Sequence, residues 1–203
     1  MGTKKKTLIC HGDSLIEASD LDRPSTWPSQ VARRLKINVV NCGIGGDTTG
    51  GLLGRFYPEV VQQHADVVLI MGGTNDLWWD LDLKLIRANI FTMVCQATYH
   101  DIIPLVGLPP TILAEKARRQ DFAGPEGGYA RFVDQLKLLI KALELAAEQN
   151  EVACLDFHNP FLDDAGNPIE KYYLDDGLHP NPAGHTIMAD IAIDKLSGLE
   201  SSS

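Results

Sequence analysis

The sequence predicts an α/β protein, a three-layer α/β/α sandwich on a five-stranded parallel sheet. Three observations point there. Short apolar runs alternate with longer segments of helical period, five times along the chain. The runs are apolar throughout rather than alternately polar, the pattern of a strand covered on both faces. No repeat or low-complexity linker interrupts the alternation, so the 203 residues make one domain, 1–203, with flexible ends at 1–6 and 198–203.

Thr7 to Cys10 is the first strand. Ser25 to Lys36 reads as a helix, because Trp27, Val31 and Leu35 recur at four-residue intervals, with Ser25 or Thr26 as cap and Pro28 in the first turn. Ile37 to Asn41, β-branched and unbroken, is the second strand. The cluster Gly43-Ile44-Gly45-Gly46-Asp47-Thr48-Thr49 follows, and then Leu52, Leu53, Phe56, Val60 and Val61 mark a helical face. Asp66 to Met71 is the third strand, ended by Gly72-Gly73. Leu83, Ile86, Ile90, Met93, Val94 and Ala97 repeat at three and four, which predicts a helix over Leu81 to Tyr99. Ile102 to Val106 is the fourth strand. Ala114 to Gly128 is charged, contains glycine and has no clear period, so it reads as a loop or lid. Val133, Leu136, Ile140, Leu143 and Ala147 place a helix over Ala130 to Gln149. Val152 to Phe157 is the fifth strand. Pro182 to Leu196 is the last helix, capped by Asn181. The most economical topology for this order is doubly wound and flavodoxin-like.

Composition excludes several function classes. A net charge of −9 opposes general binding to nucleic acid or to an anionic membrane surface. No stretch is long and apolar enough to cross a bilayer, so stable membrane insertion is not expected. With 44% hydrophobic residues the chain can build a core without disulfides. Cys10, Cys42, Cys95 and Cys154 each fall in an apolar segment and form no Cys-x-x-Cys pair, which predicts reduced core thiols. The basic residues before Thr7 precede too short an apolar run for a secretory leader, and a cytoplasmic location is expected.

Parallel topology brings every strand-to-helix loop to one edge of the sheet, and four polar features fall there. Ser14 follows the first strand, Gly46 the second, Asn75 the third, and Asp176 with His179 lie beyond the fifth. Each has a structural explanation when taken singly: a cap, a tight turn, a turn pair, a loop histidine. Together they are the parts that an activated serine needs, namely a base, an orienter for the base, and donors where negative charge develops. His179 would deprotonate Ser14, and Asp176, three residues earlier, would hold His179. The Ser14 amide, the Gly46 amide and the Asn75 side chain are the expected oxyanion donors. Trp78-Trp79 is either core packing or an apolar wall for an acyl or aryl group, or part of an interface between copies of the chain. Asp13, Trp78 and Trp79 are the candidate substrate contacts.

Gly12-Asp13-Ser14-Leu15, Asn41 to Thr48, Gly73-Thr74-Asn75-Asp76 and Asp176-Gly177-Leu178-His179 resemble, in order, the motif blocks of the SGNH/GDSL hydrolase family. The resemblance implies a flavodoxin-like sandwich that hydrolyses esters and thioesters without metal or cofactor. It implies Ser14 as nucleophile, Gly46 and Asn75 as oxyanion donors, and Asp176 and His179 as the rest of a triad. Gly43 and Gly45 compete with Gly46; Asp175 competes with Asp176, but the three-residue spacing to His179 favours Asp176. The serine lacks a Gly-x-Ser-x-Gly elbow, and the glycines fit neither a phosphate-binding loop nor a dinucleotide fingerprint. His158, His179 and His185 share a region without metal-ligand spacing. The expected substrates are small soluble acyl esters or lysophospholipids, with a carbohydrate O-acetyl esterase as rival. A non-catalytic flavodoxin-like binding domain would leave the Asp-His loop unexplained.

Overall fold

A computed structural model describes residues 5–200, so of the ends expected to be flexible, 1–6 and 198–203, residues 1–4 and 201–203 lie outside the described residues. The strands β1 (Thr7–Gly12), β2 (Asn38–Gly43), β3 (Val67–Met71), β4 (Ile103–Leu108) and β5 (Ala153–Asp156) form one sheet in the order β2-β1-β3-β4-β5. All four pairings are parallel, with Ile9 opposite Val40 on one side and Val68 on the other. This is the doubly wound, flavodoxin-like order that the alternation predicts.

Successive strand residues point to opposite faces, which builds two cores. On one face Ile9, Val68, Ile70, Val106 and Leu108 pack under α3 (Thr49–Phe56), α5 (Leu83–Tyr99) and α7 (Tyr129–Gln149). On the other, Leu8, Cys10, Val67, Leu69, Met71 and Leu105 meet α2 (Trp27–Leu35) and α8 (Pro182–Glu200). Trp27 and Phe56 anchor opposite cores, each fully buried.

The long elements fall where periodicity puts them, and their ends are set by local chemistry. Asn181 Oδ1 accepts from the Ala183 and Gly184 amides and starts α8. Asp82 Oδ1 accepts from Lys84 N, so α5 begins two residues after the expected Leu81. Thr26 occupies the cap position of α2, but its hydroxyl donates backward to Arg23 O and caps nothing. The expected helical face after the glycine cluster is α3 continued by a π turn over Tyr57–Val61, where Gln62 N reaches Tyr57 O. Three short helices carry no periodic signal: α1 (Ser14–Glu17), α4 (Thr74–Trp78) and α6 (Ala114–Ala117), the last within the expected loop or lid. The final helix runs beyond Leu196 through Glu200, taking in residues expected to be flexible.

The four thiols are free, as expected, but only Cys10 is a core residue. Cys42 and Cys154 are half-buried. Cys95 is exposed on α5, because it lies off the stripe defined by Ile86, Ile90, Met93, Val94 and Ala97. Among the described residues no helix is long and apolar enough to cross a membrane.

Candidate active site

The site is assembled where β1 ends. At Gly12 a Cβ would lie 2.3 Å from Met71 O and 2.6 Å from Ile16 Cδ1, so α1 can fold this closely against the sheet only over a glycine. Asp13 then caps α1: its Oδ1 accepts from Leu15 N at 3.0 Å and its Oδ2 from Thr74 Oγ1 at 2.9 Å. Trp27 Nε1 donates to Leu15 O at 3.0 Å and Asn41 Nδ2 to Ile16 O at 2.7 Å, pinning the short helix from two sides. Ser14 is thereby held at its first position, half-exposed.

His179 arrives in the loop between β5 and α8, which is tied to the segment after β4 by Leu113 N donating to Gly177 O at 2.7 Å and Tyr173 Oη to Thr111 O at 2.9 Å. Leu174 N donates to His179 O at 2.8 Å, and the turn between them passes through Gly177. Asp176 Oδ1 accepts from Leu178 N and His179 N, and its Oδ2 lies 2.6 Å from His179 Nδ1. With that ring nitrogen donating to the carboxylate, His179 Nε2 is free to accept, and it stands 2.9 Å from Ser14 Oγ. Asp175 is excluded as the orienting acid, because its exposed carboxylate pairs with Lys116 Nζ at 3.1 Å.

Burial of the His179 imidazole favours its neutral form. The hydrogen bond and charge of Asp176, with the charges of Asp20 and Asp13, outweigh that, so its pKa lies above the ordinary 6.5. Burial likewise opposes ionisation of Asp176, but the hydrogen bonds from the His179 ring and the His179 and Leu178 amides win, and its pKa is lowered. At neutral pH Asp176 is therefore a carboxylate.

The three expected oxyanion donors converge on the same rim. Asp47 N donates to Ile44 O at 3.2 Å and closes a turn whose central residues are Gly45 and Gly46. Gly46 has φ 77°, a left-handed conformation that glycine adopts without strain. Gly43 N donates to Asn41 Oδ1 and Gly45 N to Glu17 Oε2, whereas Gly46 N has no hydrogen-bond partner among the described residues. Of the three glycine amides, Gly46 is thus the one available to a ligand. Asn75 Nδ2 spends one hydrogen on Asp47 O at 2.9 Å, which leaves the other. The Ser14 amide is likewise unpaired among the described residues.

Two of the three candidate substrate contacts are misplaced. Asp13 is fully buried, held by Leu15 and Thr74, and burial raises its pKa to about 6 against those hydrogen bonds; it positions α1 and presents no surface to the pocket. Trp79 is 59% exposed and stands outside the pocket. Trp78 does line the pocket, a small recess of about 50 Å³ bounded also by Ser14, Leu15, Asn75, Ile112 and Phe132. A dipeptide on the last turn of a short helix points its two rings in different directions, which the motif itself could not rank. Trp78 is braced by Tyr129, Phe132 and by Phe122 from the expected loop or lid, and Glu126 N donates to Trp78 O at 2.9 Å.

Three polar residues that received no role from the sequence support the rim. Asp76 accepts from Thr49 N and Thr49 Oγ1, joining α4 to α3. His185 Nδ1 accepts from Trp27 N, and burial first, with the charge of His179 second, lowers its pKa to about 4. Arg55 donates to Asp47, Cys42 O and Gly12 O. Only a charged residue on an otherwise apolar helix face hinted at Arg55.

Comparison with known proteins identifies the family. The GDSL-like Lipase/Acylhydrolase family matches residues 10–187. An arylesterase from Vibrio mimicus is 30% identical over 195 residues, covering 93% of this chain and 87% of its own. An acetylxylan esterase from Geobacillus stearothermophilus is 29% identical over 162 residues, covering 76% of this chain and 70% of its own. The crystal structure of the lipase/acylhydrolase from Enterococcus faecalis superposes with a TM-score of 0.77 at 21% identity, covering 95% of this chain and 96% of that one.

Proposed function

Since this chain belongs to the GDSL-like lipase/acylhydrolase family and is a carboxylic ester hydrolase, we propose that Ser14 is its nucleophile, working through an acyl-enzyme on esters of short-chain acids. The observation that supports the mechanism is the unbroken line of hydrogen bonds from Asp176 through His179 to Ser14.

Ser14 Oγ attacks the ester carbonyl carbon as His179 Nε2 takes its proton. Asp176 stabilises the imidazolium so formed. The carbonyl oxygen, now negative, meets the Ser14 and Gly46 amides and the second hydrogen of Asn75 Nδ2. Collapse of the tetrahedral intermediate breaks the carbon–oxygen bond to the alcohol, which leaves with the proton from His179. Water, activated by the same imidazole, then attacks the acyl-enzyme, and the acid is released as Ser14 regains its proton.

Small acids are favoured by size. A recess of about 50 Å³, walled by Leu15, Trp78, Pro110, Ile112, Phe132 and Leu178, offers apolar cover that matches an acetyl or propionyl group and leaves a longer acyl chain without enclosure. In a p-nitrophenyl ester series, kcat/KM should therefore be highest at two to four acyl carbons. It should fall by about tenfold or more at eight, each misfit methylene being worth ~1–3 kcal/mol. A maximum at eight to twelve carbons would overturn the short-acyl reading and reinstate lysophospholipids. The acetylxylan esterase relative makes an O-acetylated carbohydrate the second reading. Acetate release from acetylated xylan faster than from an aryl acetate would decide for it.

Catalysis requires neutral His179, whose pKa is raised by Asp176, Asp20 and Asp13 against its burial. As pH rises, kcat/KM should climb with a midpoint above 6.5, and Asp20→Asn should move that limb to lower pH by removing one of the charges. A pH-independent rate from pH 5 to 9 would remove His179 as the base.

A further inference from the structure

We propose that Arg55 is a positioning residue for the oxyanion donors, acting through Asp47; this rests on the Ser14 mechanism above. The Gly45-Gly46 turn is exposed and carries no side chain at its two central positions, the second of which must aim its N–H. Paired glycines have the largest backbone freedom to lose, so the turn's place has to be imposed from outside. Arg55 supplies that constraint. Its side chain, 15% exposed on α3, donates from Nε to Asp47 Oδ2 at 2.8 Å, from Nη1 to Cys42 O at 2.8 Å and from Nη2 to Gly12 O at 2.8 Å.

Those three acceptors have distinct roles. Gly12 O is the end of β1, two residues before the nucleophile. Cys42 O is near the end of β2, which leads into the glycine turn. Asp47 is the residue that closes the turn, and its carbonyl receives Asn75 Nδ2 at 2.9 Å. One rigid, planar guanidinium thus references the Gly46 amide and the Asn75 amide to the strand that delivers Ser14. A lysine has the charge but not the divergent coplanar donors, so it cannot hold all three acceptors at once. Arg55 Nη1, besides donating to Cys42 O, also pairs with Glu59, whose Oε2 lies 3.5 Å from the buried His11 Nδ1. That second pair touches no oxyanion donor and provides the control.

The experiment compares Arg55→Lys, Asp47→Ala and Glu59→Gln with wild type in steady-state hydrolysis of p-nitrophenyl acetate, with thermal melts and fluorophosphonate labelling of each protein. Displaced donors weaken the transition state and leave ground-state binding. Arg55→Lys and Asp47→Ala should therefore lose about 10- to 100-fold in kcat with KM within about twofold, as expected for a misplacement of the order of 1 Å. Glu59→Gln should keep kcat within about twofold. If Arg55→Lys fails to fold, Asp47→Ala against Glu59→Gln decides alone. Wild-type kcat in Asp47→Ala, an effect confined to KM, or an equal loss in Glu59→Gln would overturn the positioning role. Failure of the wild-type protein to label at Ser14 would overturn the serine mechanism as well, and so separates the two failures.

Discussion

Ser14→Ala is expected to reduce kcat by a factor on the order of 10⁶ while leaving the fold intact. The hydroxyl is the only atom removed, and its hydrogen-bond partner in the site is His179 Nε2. Everything that places residue 14 remains: the Asp13 cap on Leu15 N, the Trp27 bond to Leu15 O and the Asn41 bond to Ile16 O. Losses of that size occur when the nucleophile of a triad is deleted, because base and acid then have nothing to activate. The variant should melt within a few degrees of wild type, show an unchanged far-ultraviolet spectrum and gain no mass from a fluorophosphonate. Turnover above a tenth of wild type would mean that another group attacks the ester.

The second large effect is expected at Asp176. An asparagine there keeps Oδ1 as acceptor for the Leu178 and His179 amides, so the loop retains its shape. The other carboxylate oxygen becomes an NH₂ group facing His179 Nδ1. To avoid two opposed donors the imidazole must carry its proton on Nε2, where it can no longer accept from Ser14. Asp176→Asn should therefore lose roughly 10⁴ in kcat with KM little changed, the consequence of a wrong tautomer rather than a lost fold. Asp20 lies 3.9 Å from His179 Nδ1 and more than half exposed, beyond hydrogen-bonding distance and screened by water. It tunes the proton affinity of His179 without replacing Asp176. A variant that kept more than a tenth of wild-type kcat would shift the orienting role to Asp20.

How much of this was legible in the chain depended on the length over which a residue's role is encoded. The run Val67-Val68-Leu69-Ile70-Met71 is buried from end to end, and such a run has few alternatives to a central parallel strand. The stripe from Ile86 to Ala97 likewise reads directly as one face of α5. By contrast α1, α4 and α6 are four or five residues long, shorter than the window in which a helical period can be seen. They form because Asp13 caps one of them and tertiary contacts hold all three, and short helices have little stability of their own.

The same division runs through the site. Ser14, Gly46, Asn75, Asp176 and His179 could be named from the chain because each sits at a strand end, or in a short spacing, whose geometry the parallel sheet dictates. Asp13 could not be ranked. A carboxylate beside Ser14 could face the substrate or the backbone, and the partner that claims its second oxygen, Thr74, is 61 residues away. Trp78 and Trp79 were inseparable for a similar reason, since what distinguishes them is whether Phe132 and Phe122 stand beside the ring. Arg55 was invisible as a site residue, because two of its three acceptors near the site are main-chain carbonyls, which no side-chain pattern reports.

The layered architecture, the rim on which chemistry is possible and the residue types expected to perform it can all be read from the chain. Those follow from periodicity and from the one-sided geometry of parallel strands. Folding was needed to rank Trp78 above Trp79 and to turn Asp13 from a candidate contact into a cap, because each of those outcomes turns on partners supplied by distant parts of the chain. Selection among chemically equal neighbours is made by contacts, and contacts exist only once the chain has folded.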